Sequence, residues 1–231
     1  MKSNEKRLMK FSFKSCEDYF KFYKNDSLIK VSNNNPLLAI NFQHAELILK
    51  DLKNKEVKTD PFSVLGLSVF ASSLDKKQVN EIIGIILKDL DFDLLLFRFF
   101  DDKKLLKTMN KKYDPFIKNF NEKFNIKLTF IQDFKKNANC VTNKKLFKKF
   151  MLKLNNFHLT AFFKFSSISK SVILSYFFLM KKIDIPEFFK LINLENQYQQ
   201  NLWGYVDEQK KIDEHSLTIL KKISFFFKNV N

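Results

Sequence analysis

Two closely spaced acidic pairs are the residues best suited to chemistry in this chain. Asp91 and Asp93 form one pair, and Asp101 and Asp102 form the other. Paired carboxylates can carry out general acid–base catalysis or bind a divalent cation. A hydrolase built on Asp91 and Asp93 would also need a pocket and a partner base, and the sequence indicates neither. Because such pairs more often cap helices, we favour a structural role for both.

The other reactive residue types form no recognisable site. Cys16 and Cys140 lie far apart without a CxxC partner, which argues against a disulfide framework or a zinc site and favours a reducing compartment. His44, His158 and His215 lack metal-ligand spacing. Phosphate-binding glycine loops and the GxSxG motif are also absent from the sequence. The sequence therefore predicts no enzyme, no cofactor and no metal.

The stretch 194–208 is unusual because it holds the only tryptophan, Trp203, and one of three glycines, Gly204. The rest of the chain is a lysine, asparagine and phenylalanine background that is typical of AT-rich coding. Gly204 is suited to end a helix, since the residue after a helix often has positive φ. A rare residue kept against such a background merits attention.

The residues around Trp203 allow two interpretations. Glu195, Tyr198 and Gln199 are three to four positions apart and so share one helix face. Asp207 follows at the start of the last predicted helix, where an acid suits the helix dipole. In the first interpretation the stretch is a helix–turn–helix corner pinned by a buried tryptophan, which we favour for Trp203. In the second it is an acidic and aromatic patch that binds a partner.

A second segment, 91–98, surrounds an apolar run with two acids and Arg98, one of only two arginines. A guanidinium can bind a carboxylate through two parallel hydrogen bonds. The segment therefore predicts an Asp–Arg bridge of structural use.

Composition indicates a folded, basic protein. The chain has 231 residues, 45% of them hydrophobic and 29% charged, with a net charge of +16. A basic surface can attract nucleic acid, lipid or an acidic protein. The lysines are scattered and only Arg7 and Arg98 are arginines, so a solvated lysine surface is favoured and a nucleic-acid-binding module is the alternative. The apolar runs 61–74 and 171–180 are shorter than the roughly 20 residues of a spanning helix.

The elements that must position these residues change character along the chain. Apolar alternation up to Val31 predicts strands, with a hairpin turn at Asn25-Asp26, a second turn over 33–36 and a short strand over 37–42. A helix is predicted over 45–53. Residues 1–14 are basic without a signal-peptide core, and Glu5 argues against a mitochondrial presequence.

From Asp60 onward the pattern is almost wholly helical. Asp60-Pro61 and Asp114-Pro115 are predicted helix starts, and Asp75 with Gln78 predicts a capping box. Apolar stripes predict helices over 79–90, 116–124, 146–161, 172–180, 186–198 and 212–227. Residues 126–130 are predicted as a strand or an extended connector, and residues 135–143 as a loop. The predicted class is α+β, with a small β-rich N-terminal domain over 1–58 and a larger α-helical bundle over 59–231.

Four motifs together resemble those of the ATP synthase assembly chaperones that handle the α subunit of the catalytic head. The stretch from Glu195 to Asp207 is similar to their signature of an acid, an aromatic–Gln pair, Trp-Gly and an acid. The family's Asp-x-Asp-x-x-x-aromatic-Arg, Trp-Asp-Pro and small-residue helix start resemble 91–98, 113–115 and 171–174. Two further positions differ: Asp51-Leu52 stands where the family has Glu-Trp, and the glycine-rich turn is Asn25-Asp26-Ser27.

The resemblance implies a non-enzymatic protein that holds an unassembled α subunit until the β subunit replaces it. It implies a monomer that binds no nucleic acid, located in a bacterial cytoplasm or, if nuclear-encoded, in the mitochondrial matrix. The residues expected to bind the partner are Glu195, Tyr198, Gln199, Trp203 and Asp207. The residues expected to be structural are Asp91, Asp93, Arg98, Asp114, Pro115 and Gly204.

Overall fold

The computed structural model describes residues 10–54, 57–98, 101–131, 143–204 and 206–231. Within these ranges a small antiparallel sheet is followed by ten α-helices, which confirms the predicted α+β class. The predicted loop over 135–143 lies almost wholly outside the described residues, as do Leu8 and the basic residues before it.

The sheet is built on one central strand. The strands are β1 (Phe11–Cys16), β2 (Tyr19–Lys24), β3 (Ser27–Leu28) and β4 (Leu38–Ala39). Antiparallel pairing joins β2 to each of the other three.

Both predicted turns are confirmed. Asn25 and Asp26 have φ of 47° and 64°, the positive values that a two-residue hairpin loop requires. Asn33 and Asn34, at the second turn, have φ of 60° and 63°. Asparagine and aspartate tolerate this conformation better than other residues with a side chain, which is why the sequence identified both turns.

The helices account for most of the chain. They are α1 (Phe42–Lys53), α2 (Val64–Ser73), α3 (Lys76–Asp89), α4 (Lys103–Phe124), α5 (Lys145–Met151), α6 (Asn156–Ser169), α7 (Val172–Leu179), α8 (Ile185–Ile192), α9 (Leu194–Trp203) and α10 (Asp207–Asn229). The capping box at α3 is confirmed, because Asp75 accepts from Gln78 N–H while the Gln78 side chain accepts from Asp75 N–H.

The two predicted Asp-Pro helix starts are wrong. Helix α2 begins after Ser63, and the Asp60 carboxylate instead accepts a hydrogen bond from Phe62 N–H in the turn before it. Asp114 and Pro115 lie inside α4, which Asp102 caps. The physical reason is a continuous apolar stripe on both sides of the proline, whose burial outweighs one lost backbone hydrogen bond. The stripe consists of Leu105, Met109, Tyr113, Ile117, Phe120 and Phe124.

Two predicted helices are each divided. The run 146–161 forms α5 and α6, because the Asn155 side chain accepts from His158 N–H and starts a new helix. The run 186–198 forms α8 and α9, which meet at Asn193. After α4, residues 126–131 form no helix, and Ile131 pairs with Phe97 in an isolated bridge.

One hydrophobic cluster runs through the sheet and the helices. Phe22 of β2, Ile48 of α1 and Leu67 of α2 are fully buried in it, as are Phe165 of α6 and Phe226 of α10. The division at residue 58 stays a prediction. Within the described ranges, no helix is long and apolar enough to cross a bilayer.

Candidate partner-binding surface

The turn between α9 and α10 is set by one glycine. Helix α9 ends at Trp203, and Gly204 follows with φ of +91°, donating its N–H to Gln200 O at 2.9 Å. A Cβ at Gly204 would meet nothing within 4 Å, so glycine is needed for its backbone conformation and not for space. The predicted helix end at Gly204 and the helix start at Asp207 are confirmed.

Trp203 is not buried. Its exposed fraction is 80%, so the predicted corner pinned by a buried tryptophan is wrong. Leu202 and Val206, close to it in the chain, are 56% and 62% exposed, and Ile212 in the first turns of α10 is 57% exposed. We call these four residues the α9–α10 patch. Several exposed apolar side chains within a short stretch of chain are typical of surfaces that bind another protein. The sequence signal that identifies them is an apolar residue type inside an otherwise polar stretch.

Glu195 and Gln199 form a pair behind the patch. The Gln199 amide Nε2 donates to Glu195 Oε1 at 3.2 Å, which confirms that the two share a helix face. Both side chains are half-buried, and burial raises the pKa of the Glu195 carboxyl. The Glu195 charge also helps to raise the pKa of Tyr113, for which burial is the larger cause. Glu195 therefore faces α4.

Tyr198 holds α9 against the start of α4. Its hydroxyl donates to Asp102 Oδ2 at 2.7 Å, while the other carboxylate oxygen of Asp102 accepts from the backbone N–H groups of Lys104 and Leu105. The hydrogen bond from Tyr198 is the main cause that lowers the pKa of Asp102. The five predicted partner-binding residues are thus divided between two environments. Trp203 and Asp207 are exposed, whereas Glu195, Tyr198 and Gln199 already have partners within the chain.

Arg98 is buried beside α4 and donates several hydrogen bonds. Its guanidinium donates to Asp114 Oδ1 at 3.1 Å, to Asn110 Oδ1 at 2.9 Å and to Leu95 O at 2.6 Å. It also lies 5.4 Å from the centre of the Tyr113 ring. The predicted bridge within 91–98 is wrong, because the carboxylate partner comes from α4.

Asp93 caps helix α7 from a distance. It is fully buried, and its carboxylate accepts from Ser171 Oγ, Ile173 N–H and Leu95 N–H, each at 2.9 Å. Burial raises the pKa of Asp93 to about 6, and these hydrogen bonds oppose that rise. The structural role expected of Asp93 is therefore a helix cap.

Asp91 has a separate partner. Its carboxylate lies 2.6 Å from Lys144 Nζ, so the two acids of this pair do not face one shared site. A carboxylate pair used in acid–base catalysis would share one site, where each charge acts on the other. Here Asp91 pairs with Lys144, whereas Asp93 bonds to the start of α7.

The motifs of the sequence meet around α4. Arg98 of the 91–98 motif bonds to Asp114 of the 113–115 motif. Tyr113 of the 113–115 motif donates its hydroxyl to Leu191 O at 2.7 Å, just before α9. Asp93 of the 91–98 motif caps α7 at Ser171, which belongs to the 171–174 motif. These contacts fix where α9 leaves the helical body and so where the α9–α10 patch points. Pro115 is exposed on α4.

Comparison with known proteins gives one sequence relative and several structures. No family model matches the chain. Protein atp12, mitochondrial, from Schizosaccharomyces pombe is 26% identical over 152 residues, which are 62% of this chain and 51% of that protein. The chain therefore spans about half the length of the curated relative that it matches.

The fold is shared over nearly the whole chain. An aspartate-to-lysine mutant of Atp12p from P. denitrificans superposes with a TM-score of 0.81 at 15% identity, covering 96% of this chain and 95% of that one. Atp12 from Paracoccus denitrificans superposes with a TM-score of 0.79 at 16% identity, covering 96% of each chain.

Proposed function

We propose that this chain, a homologue of the ATP synthase assembly chaperone Atp12, binds the unassembled α subunit of ATP synthase and keeps it soluble until the β subunit replaces it. The role is non-enzymatic. A subunit that awaits its partner exposes an apolar interface, and such an interface aggregates unless another protein covers it. The homology supports the chaperone role, and the choice of the α subunit follows the motif resemblance.

The observation that carries the proposal is the exposure of the α9–α10 patch. A single tryptophan with 80% of its surface exposed is costly to keep in water, and it stands inside the signature that resembles the chaperone family. Exposed tryptophans are among the residues that contribute most to protein–protein binding. We therefore propose that Trp203 contacts the client.

Polar residues would make the contact specific. Asp207 is exposed beside the patch, and Glu195 is half-buried behind it with one carboxylate oxygen accepting from Gln199. Charged groups at an interface discriminate between partners more than they add affinity. We propose that Glu195 and Asp207 select the client, while Tyr198 and Gln199 hold the helix that presents them.

The alternative of a nucleic-acid-binding module gains no support from the arginines. Arg98 is 6% exposed and engaged by Asp114, so its guanidinium cannot read a base or clamp a phosphate. Arg7 lies outside the described residues. We do not propose this function.

The proposed setting is a monomer in a bacterial cytoplasm, or in the mitochondrial matrix if the gene is nuclear. The name of the S. pombe relative places that protein in mitochondria. Size-exclusion chromatography of the purified chain would report one protomer under this proposal.

The test is co-expression with the α subunit. Wild type is expected to increase soluble α, and Glu195→Lys is expected to abolish most of the increase. Glu81→Lys is a control with the same charge change, because Glu81 is a helical glutamate far along the chain from the patch; unlike Glu195 it is exposed, so thermal unfolding must verify the fold of both variants. If wild type leaves α as insoluble as an empty vector does, the proposed function is wrong.

A further inference from the structure

A groove runs between α8 and α10, on the side of the helical body that also includes Gln197 of α9. Its volume is about 640 Å³. Ile185 and Phe189 of α8 form one apolar wall, and Leu217 and Phe225 of α10 form the other. A volume in the range of about 300–1,000 Å³ is that of pockets which enclose small ligands, so the groove has room for a few apolar side chains.

Phe225 is the most unusual residue of the groove. It is 49% exposed on α10, although its neighbours Phe226 and Phe227 are buried. A second cleft of about 560 Å³ lies on its other side and shares Phe225 and Lys221 with the first. The phenylalanine thus forms a ridge between two open clefts, and a helix laid along α10 could cover both of its faces.

The rim of the groove is positively charged. Lys190, Lys221 and Lys228 line it, and none of its described lining residues is an aspartate or glutamate. The neighbouring Lys222 differs, because its Nζ lies 2.6 Å from Asp60 Oδ2. Asp184 and Glu187 lie in the adjoining clefts that share Lys190 or Lys228, but none of the described lining residues of the groove itself is a carboxylate, so the three rim lysines favour an acidic occupant.

We propose that the α8–α10 groove binds an amphipathic helix of the unassembled α subunit, with apolar side chains in the groove and acidic side chains against the lysine rim. This rests on the proposed function, of which it names the client segment. Laying an amphipathic helix into an apolar groove is a recurring mode of peptide recognition. The groove and the α9–α10 patch would then hold one client at two places, which strengthens binding without tighter contacts at either.

Two other occupants fit less well. A second copy of this chain carries a net charge of +16, so its approach to a lysine rim is unfavourable. An anionic bilayer would meet the lysines but is too flat to reach Leu217 and Phe189 on the walls of a concave groove. Both occupants are outcomes that the experiment separates.

The first arm of the experiment compares two triple charge reversals. One combines Lys190→Glu, Lys221→Glu and Lys228→Glu. The control combines Lys76→Glu, Lys77→Glu and Lys107→Glu, which are exposed helical lysines outside the groove. Each variant changes the net charge by three times two units, from +16 to +10, so total charge is matched. Purified chain would be titrated with α subunit, and thermal unfolding would verify the fold of each variant.

The expected result is affinity for α reduced by on the order of tenfold or more in the groove variant and by less than about twofold in the control. Equal affinity of the groove variant and wild type would show that the groove does not bind α, while leaving the proposed function standing. Failure of wild type itself to bind α would overturn both. Groove-dependent dimerisation, or groove-dependent binding to phosphatidylserine vesicles with unchanged α binding, would also overturn the proposal.

The second arm keeps every lysine in place. A benzoylphenylalanine at position 225 is expected to cross-link α after irradiation, through a segment with acidic residues spaced along one helix edge. The same probe at Phe92, which is 55% exposed, is the control and should give little product. Cross-linking from Phe92 alone would contradict the groove.

Discussion

The buried Asp93, with its partners at the start of α7, and the exposed α9–α10 patch are opposite to what is usual in proteins, where acids lie outside and apolar residues inside. An acid lies in the interior with no exposed surface, and a tryptophan lies outside with 80% of its surface exposed. Both belong to motifs of similar prominence in the sequence. The two regions have different roles. A buried charge needs hydrogen-bond partners within the fold, whereas an exposed aromatic ring is best covered by a binding partner. Substitutions in the two regions should therefore affect different measurements.

The largest effect on stability is expected from Asp93→Ala. The change leaves Ser171 Oγ, Ile173 N–H and Leu95 N–H without their shared acceptor in a buried site. We expect a loss of roughly 3 kcal/mol or more in the free energy of unfolding, because each buried neutral donor left without an acceptor costs about 1–3 kcal/mol. Urea denaturation at pH 7 measures it. The exposed Asp101→Ala is the control, and an equal loss there would refute the special role of Asp93.

A second buried polar group, His44, should make stability depend on pH. Its Nδ1 accepts from Ile40 N–H and its Nε2 lies 2.8 Å from Ser68 Oγ, between the rings of Phe157 and Phe226. Burial lowers the pKa of His44 from 6.5 to about 4. The neutral ring is favoured in the folded state, so its contribution is complete above pH 6.5 and is lost as the pH falls toward 4.

The size of the His44 effect follows from that pKa. Wild type should lose roughly 3 kcal/mol relative to His44→Gln between pH 6.5 and pH 4, at about 1.4 kcal/mol per pKa unit. Asp93 acts in the opposite direction, because its raised pKa favours the protonated form and its contribution declines as the pH rises from about 4 to about 6. The difference between wild type and variant isolates His44. A pH-independent difference would rule out its titration.

The smallest effect on stability is expected from Trp203→Ala. An exposed side chain makes few contacts within the fold, so we expect a change within about 0.5 kcal/mol. The affinity for α should nevertheless decrease by about tenfold or more, as for other tryptophans at the centre of an interface. Isothermal titration calorimetry with purified α measures it, with Phe92→Ala as an exposed aromatic control. If Trp203→Ala kept normal affinity for α but lost stability, Trp203 would have a structural role and not a binding role.

Local features of the fold could be predicted from the sequence. The turn at Asn25-Asp26, the capping box of Asp75 and Gln78 and the helix end at Gly204 each depend on residues within a few positions of one another. The corresponding side chains act on their own backbone, so their types identify the structure. Hydrophobic periodicity predicted the order of the elements, strands before helices, and the motif resemblance implied the same order.

Contacts between distant segments could not be predicted in the same way. Arg98 was expected to bond within its own segment, but Asp114 lies closer once α4 packs against that segment. Asp114-Pro115 was expected to begin a helix, but the stripe of buried residues carries α4 through it. The favoured interpretation buries Trp203 at a helix–turn–helix corner, but the polar sequence of α9 leaves that helix without a buried residue. The errors at Arg98 and Asp114 come from tertiary packing overriding a local preference.

The cap of α7 bears on the order in which the chain folds. Asp93 reaches Ser171 and Ile173 across 78 and 80 residues, so this helix start is completed by a residue that the chain must bring back over a long loop. Closing such a loop loses chain entropy before the contact yields any stabilisation. Helix α7 should therefore gain its final N-terminus late, after α3 and α4 have formed, and the ribosome must have released all three helices before the Asp93 carboxylate can be satisfied.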